Sequence, residues 1–236
     1  MSSSRSSDTY YAVVPAAGVG RRMGGKQPKQ YLPLLDKTVI EHTLSRLLAE
    51  PRLARIIVAV SAEDEYWQNF SVMENSRVDV VTGGAERSDS VLQGLQALIS
   101  IAKPTDWVLV HDVARPCIAQ TDISRLIDEL SDDAVGGILA VPASDTLKQV
   151  NAEAVIGQTI DRQFIWQAQT PQMFRFQLLL DALTQATEQN LVITDEASAI
   201  EAAGHSAKVV EAQSPNIKIT RPNDLALAAF YLQQEQ

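Results

Sequence analysis

Between Pro15 and Gln30 the chain reads Pro-Ala-Ala-Gly-Val-Gly-Arg-Arg-Met-Gly-Gly-Lys-Gln-Pro-Lys-Gln. Its four glycines and two alanines leave backbone amides open to close approach, while Arg21, Arg22, Lys26 and Lys29 put four positive charges in nine residues. No acidic residue occurs in the 27 residues from Thr9 to Leu35. Exposed amides and uncompensated bases make a cradle for a polyanion, and a nucleoside triphosphate is its natural occupant. A solvated basic loop would explain the charges alone; charge, glycine content and position after a strand together favour the cradle. Two commoner nucleotide loops fail. The dinucleotide fingerprint would need Gly where Met23 stands, and a Walker loop ending Gly25-Lys26 would need a hydroxyl where Gln27 stands.

A second cluster is Val110-His111-Asp112-Val113-Ala114-Arg115-Pro116, at the end of an apolar run. Asp112 suits Mg²⁺, which takes one or two carboxylates and completes its shell with water and phosphate oxygens. Arg115 could hold an anionic substrate through two hydrogen bonds. The same residues also fit an Asp that caps the next turn beside a structural Arg, and His111 reads as a packed strand residue rather than a base. A third cluster, Gly83-Gly84-Ala85-Glu86-Arg87-Ser88-Asp89-Ser90, combines a turn with a helix start. There Gly83 and Ser90 could read a nucleobase edge.

The elements that position these loops alternate. Apolar runs at Tyr10–Pro15, Arg55–Val60, Val78–Val81, Trp107–His111 and Gly136–Val141 are expected to be buried strands. Helical stripes are expected over 38–50, 63–75, 88–101 and 121–131, the third with Val91, Leu95, Leu98 and Ile99 inward. Such alternation means an α/β fold: a doubly wound, mostly parallel, Rossmann-like sheet, with ligands outside the carboxyl ends of the strands. Residues 142–172 break the pattern with β-branched, aromatic and polar runs at 146–150, 155–160 and 164–168. They read as a hairpin arm, either packed on another subunit or extending the sheet locally. Helices follow at 174–189, 194–204 and from Pro222, with strands at 207–211 and 217–220. The domain plan is a disordered, serine-rich lead over 1–8 and one domain over 9–236 carrying the arm.

The chain has 236 residues, 45% hydrophobic and 21% charged, with 20 Lys+Arg against 29 Asp+Glu for a net charge of −9. That balance argues against nucleic acid or an anionic membrane as partner. No apolar run approaches the roughly 18 residues of a membrane span. The first residues lack the apolar core of a secretory signal. A single cysteine, Cys117, permits no disulfide framework, so a cytoplasmic location is expected. At this length no fused second enzyme is expected.

Several blocks together resemble one family. Pro15-Ala-Ala-Gly-x-Gly-x-Arg-Met with Pro28-Lys29-Gln30, Gly83-Gly-x-x-Arg87-x-x-Ser90, His111-Asp112-x-Ala-Arg115-Pro116, Asp145-Thr146-x-Lys148, Thr170-Pro-Gln-x-Phe174, Thr194-Asp-Glu-Ala-Ser198 and Asn216-Ile-Lys218-x-Thr220 are similar to the 2-C-methyl-D-erythritol 4-phosphate cytidylyltransferases of the non-mevalonate isoprenoid pathway. The resemblance implies transfer of CMP from CTP to methylerythritol phosphate, with Mg²⁺ as cofactor. It implies catalytic roles for Arg22, Lys29 and Lys218. Nucleotide contacts would come from Pro15, Ala16, Ala17, Gly18, Gly20, Gly83, Arg87 and Ser90. Asp112 would be the metal ligand, and Asp112, Arg115, Thr194 and Lys218 would hold the sugar phosphate. It further implies a homodimer through the arm, in which Thr146, Arg162 and Thr170 reach the neighbouring subunit's substrate. Ala143-Ser144 and Pro215 depart from the pattern, which expects an Arg before Asp145 and an acid before Asn216. The rival chemistries are CMP transfer to another polyol phosphate such as ribitol 5-phosphate, guanylyl transfer in molybdenum-cofactor synthesis, and a silent nucleotide-binding module.

Overall fold

The computed structural model describes residues 8–18, 27–213 and 215–234. The expected disordered lead falls almost wholly outside them, as do Gly20, Arg21, Arg22 and Lys26 of the basic loop. Apart from a two-residue ribbon of Pro33–Leu34 with Lys37–Thr38, the strands are β1 (Tyr10–Pro15), β2 (Leu53–Val60), β3 (Val78–Thr82), β4 (Trp107–Val110), β5 (Gly136–Pro142), β6 (Leu147–Val150), β7 (Ile156–Ile160), β8 (Trp166–Arg175) and β9 (Lys208–Glu211). The helices are α1 (Val39–Leu48), α2 (Arg87–Leu98), α3 (Gln120–Leu130), α4 (Phe176–Glu188), α5 (Glu196–Ala202) and α6 (Pro222–Gln234).

Seven strands form one sheet in the order β9-β5-β8-β4-β1-β2-β3. All run parallel except β8, which is antiparallel to both β4 and β5. Strand β1 is the axis: Val13 pairs with Ile57 of β2 and Val110 of β4. Side chains alternate across such a strand. Ala12 and Val14 pack with Ile40, Leu44 and Leu47 of α1 and Ile123, Leu126 and Ile127 of α3. Tyr11 and Val13 pack with Val91 and Leu95 of α2, Leu179 of α4 and Ile200 of α5. Both faces are covered, which is why the parallel strands read as continuous apolar runs. Gly94 lets α2 approach β1 closely: a Cβ there would sit 2.5 Å from Val13 Cγ1. Helix α6 closes a smaller cluster in which Ala228 and Leu232 cover Val39, Cys117 and Ile219.

Four expectations are corrected. Residues 63–75 are not one helix but two short 3₁₀ turns at Trp67–Asn69 and Ser71–Glu74. Trp67, Phe70 and Met73 are spaced by three, the 3₁₀ period, and the Asp64 carboxylate accepts the amides of Tyr66 and Trp67. Helix α2 stops at Leu98, so Ile99 is exposed rather than inward. The strand expected at 164–168 runs on to Arg175 and enters the sheet, with a register break between Ala168 and Gln172 around Pro171, which has no amide to give the ladder. Residues 217–220 pair with no strand among the described residues. This segment is tied to a loop instead, the Ile219 amide donating to the Ala114 carbonyl at 2.8 Å.

The excursion from the sheet therefore lies between the end of β5 and the start of β8. Its hairpin, β6 with β7, forms a separate two-stranded sheet. Val155, Ile156 and Phe164 stand exposed along it, Phe164 at 81%.

Candidate active site

The carboxyl ends of β1, β3 and β4 converge, and because β8 runs the other way its residues 168–172 arrive at the same edge. A cleft of about 440 Å³ opens there between the loop after β1, the loop before α2 and residues 112–114. A smaller recess of about 190 Å³ adjoins it, lined by Arg115, Thr170 and Thr194 among others. Arg87, Asp112 and Lys218 line both.

Asp112 is the pivot. It is buried at 6% exposure. Its Oδ1 accepts Arg87 Nε at 2.8 Å, and its Oδ2 meets Lys218 Nζ at 2.6 Å. Burial opposes ionisation, but the Arg87 and Lys218 cations outweigh it and hold the carboxyl well below the usual carboxylate range. Among the described residues the Asp112 side chain accepts from Arg87 and Lys218 and from no backbone amide. Its amide donates to Thr170 Oγ1 at 3.1 Å. Thr170 Oγ1 also lies 3.1 Å from His111 Nδ1, and His111 Nε2 lies 3.1 Å from the Arg115 carbonyl. A carbonyl only accepts, so Nε2 carries the proton and Nδ1 accepts from Thr170. Burial pushes the His111 pKa down to about 4, keeping the ring neutral. His111 is thus a brace for the Asp112 turn, as its place in the apolar run suggested.

Around this pivot the cations are individually fixed. Arg87 Nη1 and Nη2 donate to both oxygens of the buried Glu196 at 2.7 and 2.9 Å. Arg115 Nη1 donates to the Asn216 carbonyl at 2.6 Å, and Asn216 Nδ2 donates to the Thr170 carbonyl at 2.6 Å. Lys29 begins a 3₁₀ turn, and its Nζ donates to the Ile219 carbonyl at 3.1 Å, beside Lys218. That turn is anchored on both sides. Gln30 Nε2 donates to the Ala16 carbonyl at 2.7 Å. Tyr31, stacked on Phe70, donates its hydroxyl to Asp64 at 2.6 Å.

Of the residues singled out in the sequence, Pro15, Ala17, Gly18, Lys29, Arg87, Ser90, Asp112 and Lys218 line the cleft. Ala16 does not: it is buried, and its amide and carbonyl are taken by Ala59 and Gln30. Gly83 also lies behind the wall, where a Cβ would meet Ser90 Oγ at 2.8 Å and Ala17 Cβ at 2.9 Å. Ser90 Oγ is engaged locally, donating to the Glu86 carbonyl and accepting the Gly84 amide, both at 3.1 Å. Arg87 lines the cleft with its guanidinium engaged by two carboxylates, Asp112 and Glu196. Thr170 is buried beside Asp112, because β8 carries it back into the sheet. Thr146 and Arg162 are exposed on the arm and line neither recess. Gly20 and Arg22 lie outside the described residues.

The model of the IspD family, 2-C-methyl-D-erythritol 4-phosphate cytidylyltransferase, matches residues 10–234. The chain belongs to this family. A relative of that name from Vibrio vulnificus (strain YJ016) is 50% identical over 232 residues, covering 98% of each chain. The crystal structure of the Francisella tularensis 2-C-methyl-D-erythritol 4-phosphate cytidylyltransferase superposes with a TM-score of 0.81 at 37% identity, covering 95% of this chain and 100% of that one. The Thermus thermophilus enzyme gives 0.78 at 30% identity, covering 95% and 99%. As in the solved members of the family, the architecture is α/β with a mostly parallel central sheet, and the chain is a cytidylyltransferase.

Glu196 and Asn216 hold this cytidylyltransferase's site together, yet neither stood out as a site residue in the sequence. Glu196 read as an acid in the first turn of a helix, where the helix dipole alone explains a carboxylate. Asn216 had a signal, its place in the Asn216-Ile-Lys218 block, but nothing in its type said that its side chain would bridge to β8.

Proposed function

We propose that the chain transfers CMP from CTP to the phosphate of 2-C-methyl-D-erythritol 4-phosphate, releasing pyrophosphate. The observation that carries this reading is the placing of Lys218 and Asp112 where the larger and smaller recesses meet. A nucleotide in the larger recess would present its α-phosphorus there, and a sugar phosphate in the smaller one would present its nucleophile.

The attacking phosphate is already anionic at neutral pH, so the reaction needs no general base, and a buried neutral His111 is no obstacle. The barrier lies in bringing one anion onto another. Catalysis of this kind comes from in-line positioning and from neutralising charge that develops at the phosphorus. Lys29 and Lys218, drawn together through residues 217–220, are the cations for that task, with Arg22 given the same role by the resemblance to the family. Gly84, Ala85 and Glu86 supply the wall toward the base, and Ala17 and Gly18 that toward the phosphates. Arg115 and Thr194 flank the sugar phosphate.

The residues fit a divalent cation held jointly with substrate. Among the described residues no group of three or more His, Cys, Asp or Glu side chains is placed to hold a metal. Asp112 offers one ionised carboxylate, and Mg²⁺ is commonly held by one or two carboxylates plus substrate phosphates. Bound there, Mg²⁺ would draw the triphosphate oxygens together and neutralise them. Lys218 must then leave Asp112 Oδ2, and the incoming phosphates are its natural new partners.

The arm is the proposed dimer contact. Val155, Ile156 and Phe164 gain burial only against another surface, and a second copy would bring Thr146 and Arg162 near the smaller recess of its partner. Among the described residues no helix is long and apolar enough to cross a membrane. Phosphorus-31 NMR of a mixture of protein, CTP, Mg²⁺ and methylerythritol phosphate tests the reaction. It should show a new diphosphodiester with one equivalent of pyrophosphate. Release of CMP or CDP instead would contradict it.

A further inference from the structure

Two helix ends meet beside the cleft, joined by an ion pair between Arg87 and Glu196. Arg87 is the first residue of α2, and Glu196 is the first of α5. Glu196 is 1% exposed, which its place in a first turn does not require. The end of α5 is already capped by Asp195, whose carboxylate accepts the Ser198 amide at 3.0 Å. A carboxylate taken so far out of water is costly: burial pushes the Glu196 carboxyl up, and the two-point fork to Arg87 opposes that shift without cancelling it.

The fork has a directional consequence. A guanidinium beside a lone carboxylate ordinarily takes both of its oxygens through a pair of parallel N–H groups. Glu196 engages Nη1 and Nη2 together, leaving Nε for Asp112. Arg87 therefore reaches Oδ1 alone, and Oδ2 meets Lys218 Nζ at 2.6 Å, with Arg115 Nε farther off at 3.9 Å. The charges pair off in the same way. Glu196 offsets Arg87, so Asp112 retains negative charge for Lys218 and for whatever replaces it. Without Glu196, the Arg87 guanidinium would turn both donors onto Asp112 and compete with Lys218 for the oxygen that faces the cleft. The fork also ties the loop lining the larger recess, residues 84–87, to the loop carrying Thr194 at the smaller one.

We propose that Glu196 is a positioning residue for the transfer reaction: by holding both terminal nitrogens of Arg87, it confines Asp112 to one bond from that side and keeps Asp112 Oδ2 and Lys218 aimed at the junction of the two recesses. It touches neither substrate. This inference rests on the cytidylyltransfer reading above.

The test is kinetic and uses two variants. Glu196→Gln is nearly isosteric and removes the charge. Glu196→Asp keeps the charge and shortens the reach by one methylene. For each, kcat per active site is taken from the amplitude and rate of a single-turnover burst, alongside KM for CTP, KM for methylerythritol phosphate, and Tm. Both variants are expected to lose at least about 10-fold in kcat per active site, with KM for CTP within about 3-fold of the parent. Loss in Glu196→Asp is the discriminating result, because a residue needed only for charge balance would be rescued by aspartate. Parent-like kcat per active site in either variant overturns the inference, even if Tm falls, because Glu196 would then serve stability alone. Should Glu196→Gln fail to fold, Glu196→Asp decides by the same criterion, and an unfolded Glu196→Asp would also overturn the inference by making the residue a folding requirement. A parent chain that makes no product would instead sink the cytidylyltransfer reading.

Discussion

Lys218 Nζ lies 2.6 Å from Asp112 Oδ2, within the wall common to both recesses. The contact ties a residue of the 215–220 segment to the end of β4 and keeps a cation where two anions must meet. A lysine is a point charge on a flexible stem, so it can leave Asp112 for a phosphate without disturbing the backbone. Arg87, pinned by Glu196, has no such freedom.

Lys218→Ala removes that movable charge. The expected loss is on the order of 10²–10³ in kcat/KM for the sugar phosphate, with KM for CTP changed only a few-fold. Steady-state kinetics with each substrate varied in turn would show it. A loss confined to CTP binding would move Lys218 to the nucleotide side.

Lys29 stands on a turn anchored by Gln30 and Tyr31, so its stem enters the cleft from a fixed base. Lys29→Ala is expected to lower kcat by on the order of 10²–10³, more than it raises KM for CTP, as is Arg22→Ala. An effect on KM alone would assign these residues to ground-state binding.

The arm makes a separate prediction. Arg162→Ala should raise KM for the sugar phosphate while leaving CTP kinetics near the parent values. Phe164→Asp should shift the protein to monomer in analytical ultracentrifugation and lower activity with it. A fully active monomer would refute the contribution of the arm across a dimer.

Stability offers a check away from the site. Asp133 accepts the amides of Val135 and Gly136 at 2.8 and 2.9 Å and meets Lys208 at 2.6 Å. Burial pushes its pKa up, but Lys208 and these amides outweigh it and bring it down to about 2. The folded value lies below the ordinary one near 4, so the stabilisation is present above about pH 4 and is lost as pH falls toward about 2. Lys208 is 65% exposed and solvent screens its share. Asp133→Asn should therefore cost only about 1 kcal/mol at pH 7, and the gap should close between about pH 4 and 2 in urea titrations.

The parallel strands and their order of use were legible because burial on both faces writes itself as apolar runs, and the strand-end rule then located the three loops. The basic loop and Asp112 stood out because charge beside glycine or at a strand end suggests a ligand, whereas Lys218 entered only through the resemblance to the family. What stayed hidden depends on contacts between distant segments. The continuation of β8 past Pro171 could not be read, since a proline ordinarily argues against an inner strand. That strand alone decides that Thr170 braces Asp112 in its own chain. The engagement of Arg87 by Glu196, 109 residues away, has no local signature either. Ala16 and Gly83 sit in the right loops, but a backbone is available to a ligand only if no neighbour has taken it.

The acceptor is the centre of the account. The most direct measurement is CTP-dependent pyrophosphate release with methylerythritol phosphate and ribitol 5-phosphate in parallel, each as kcat/KM at fixed Mg²⁺. Turnover of methylerythritol phosphate at least about 100-fold above ribitol 5-phosphate is the result predicted here, a gap of about 2.8 kcal/mol in transition-state binding. Turnover of the ribitol compound alone would contradict it.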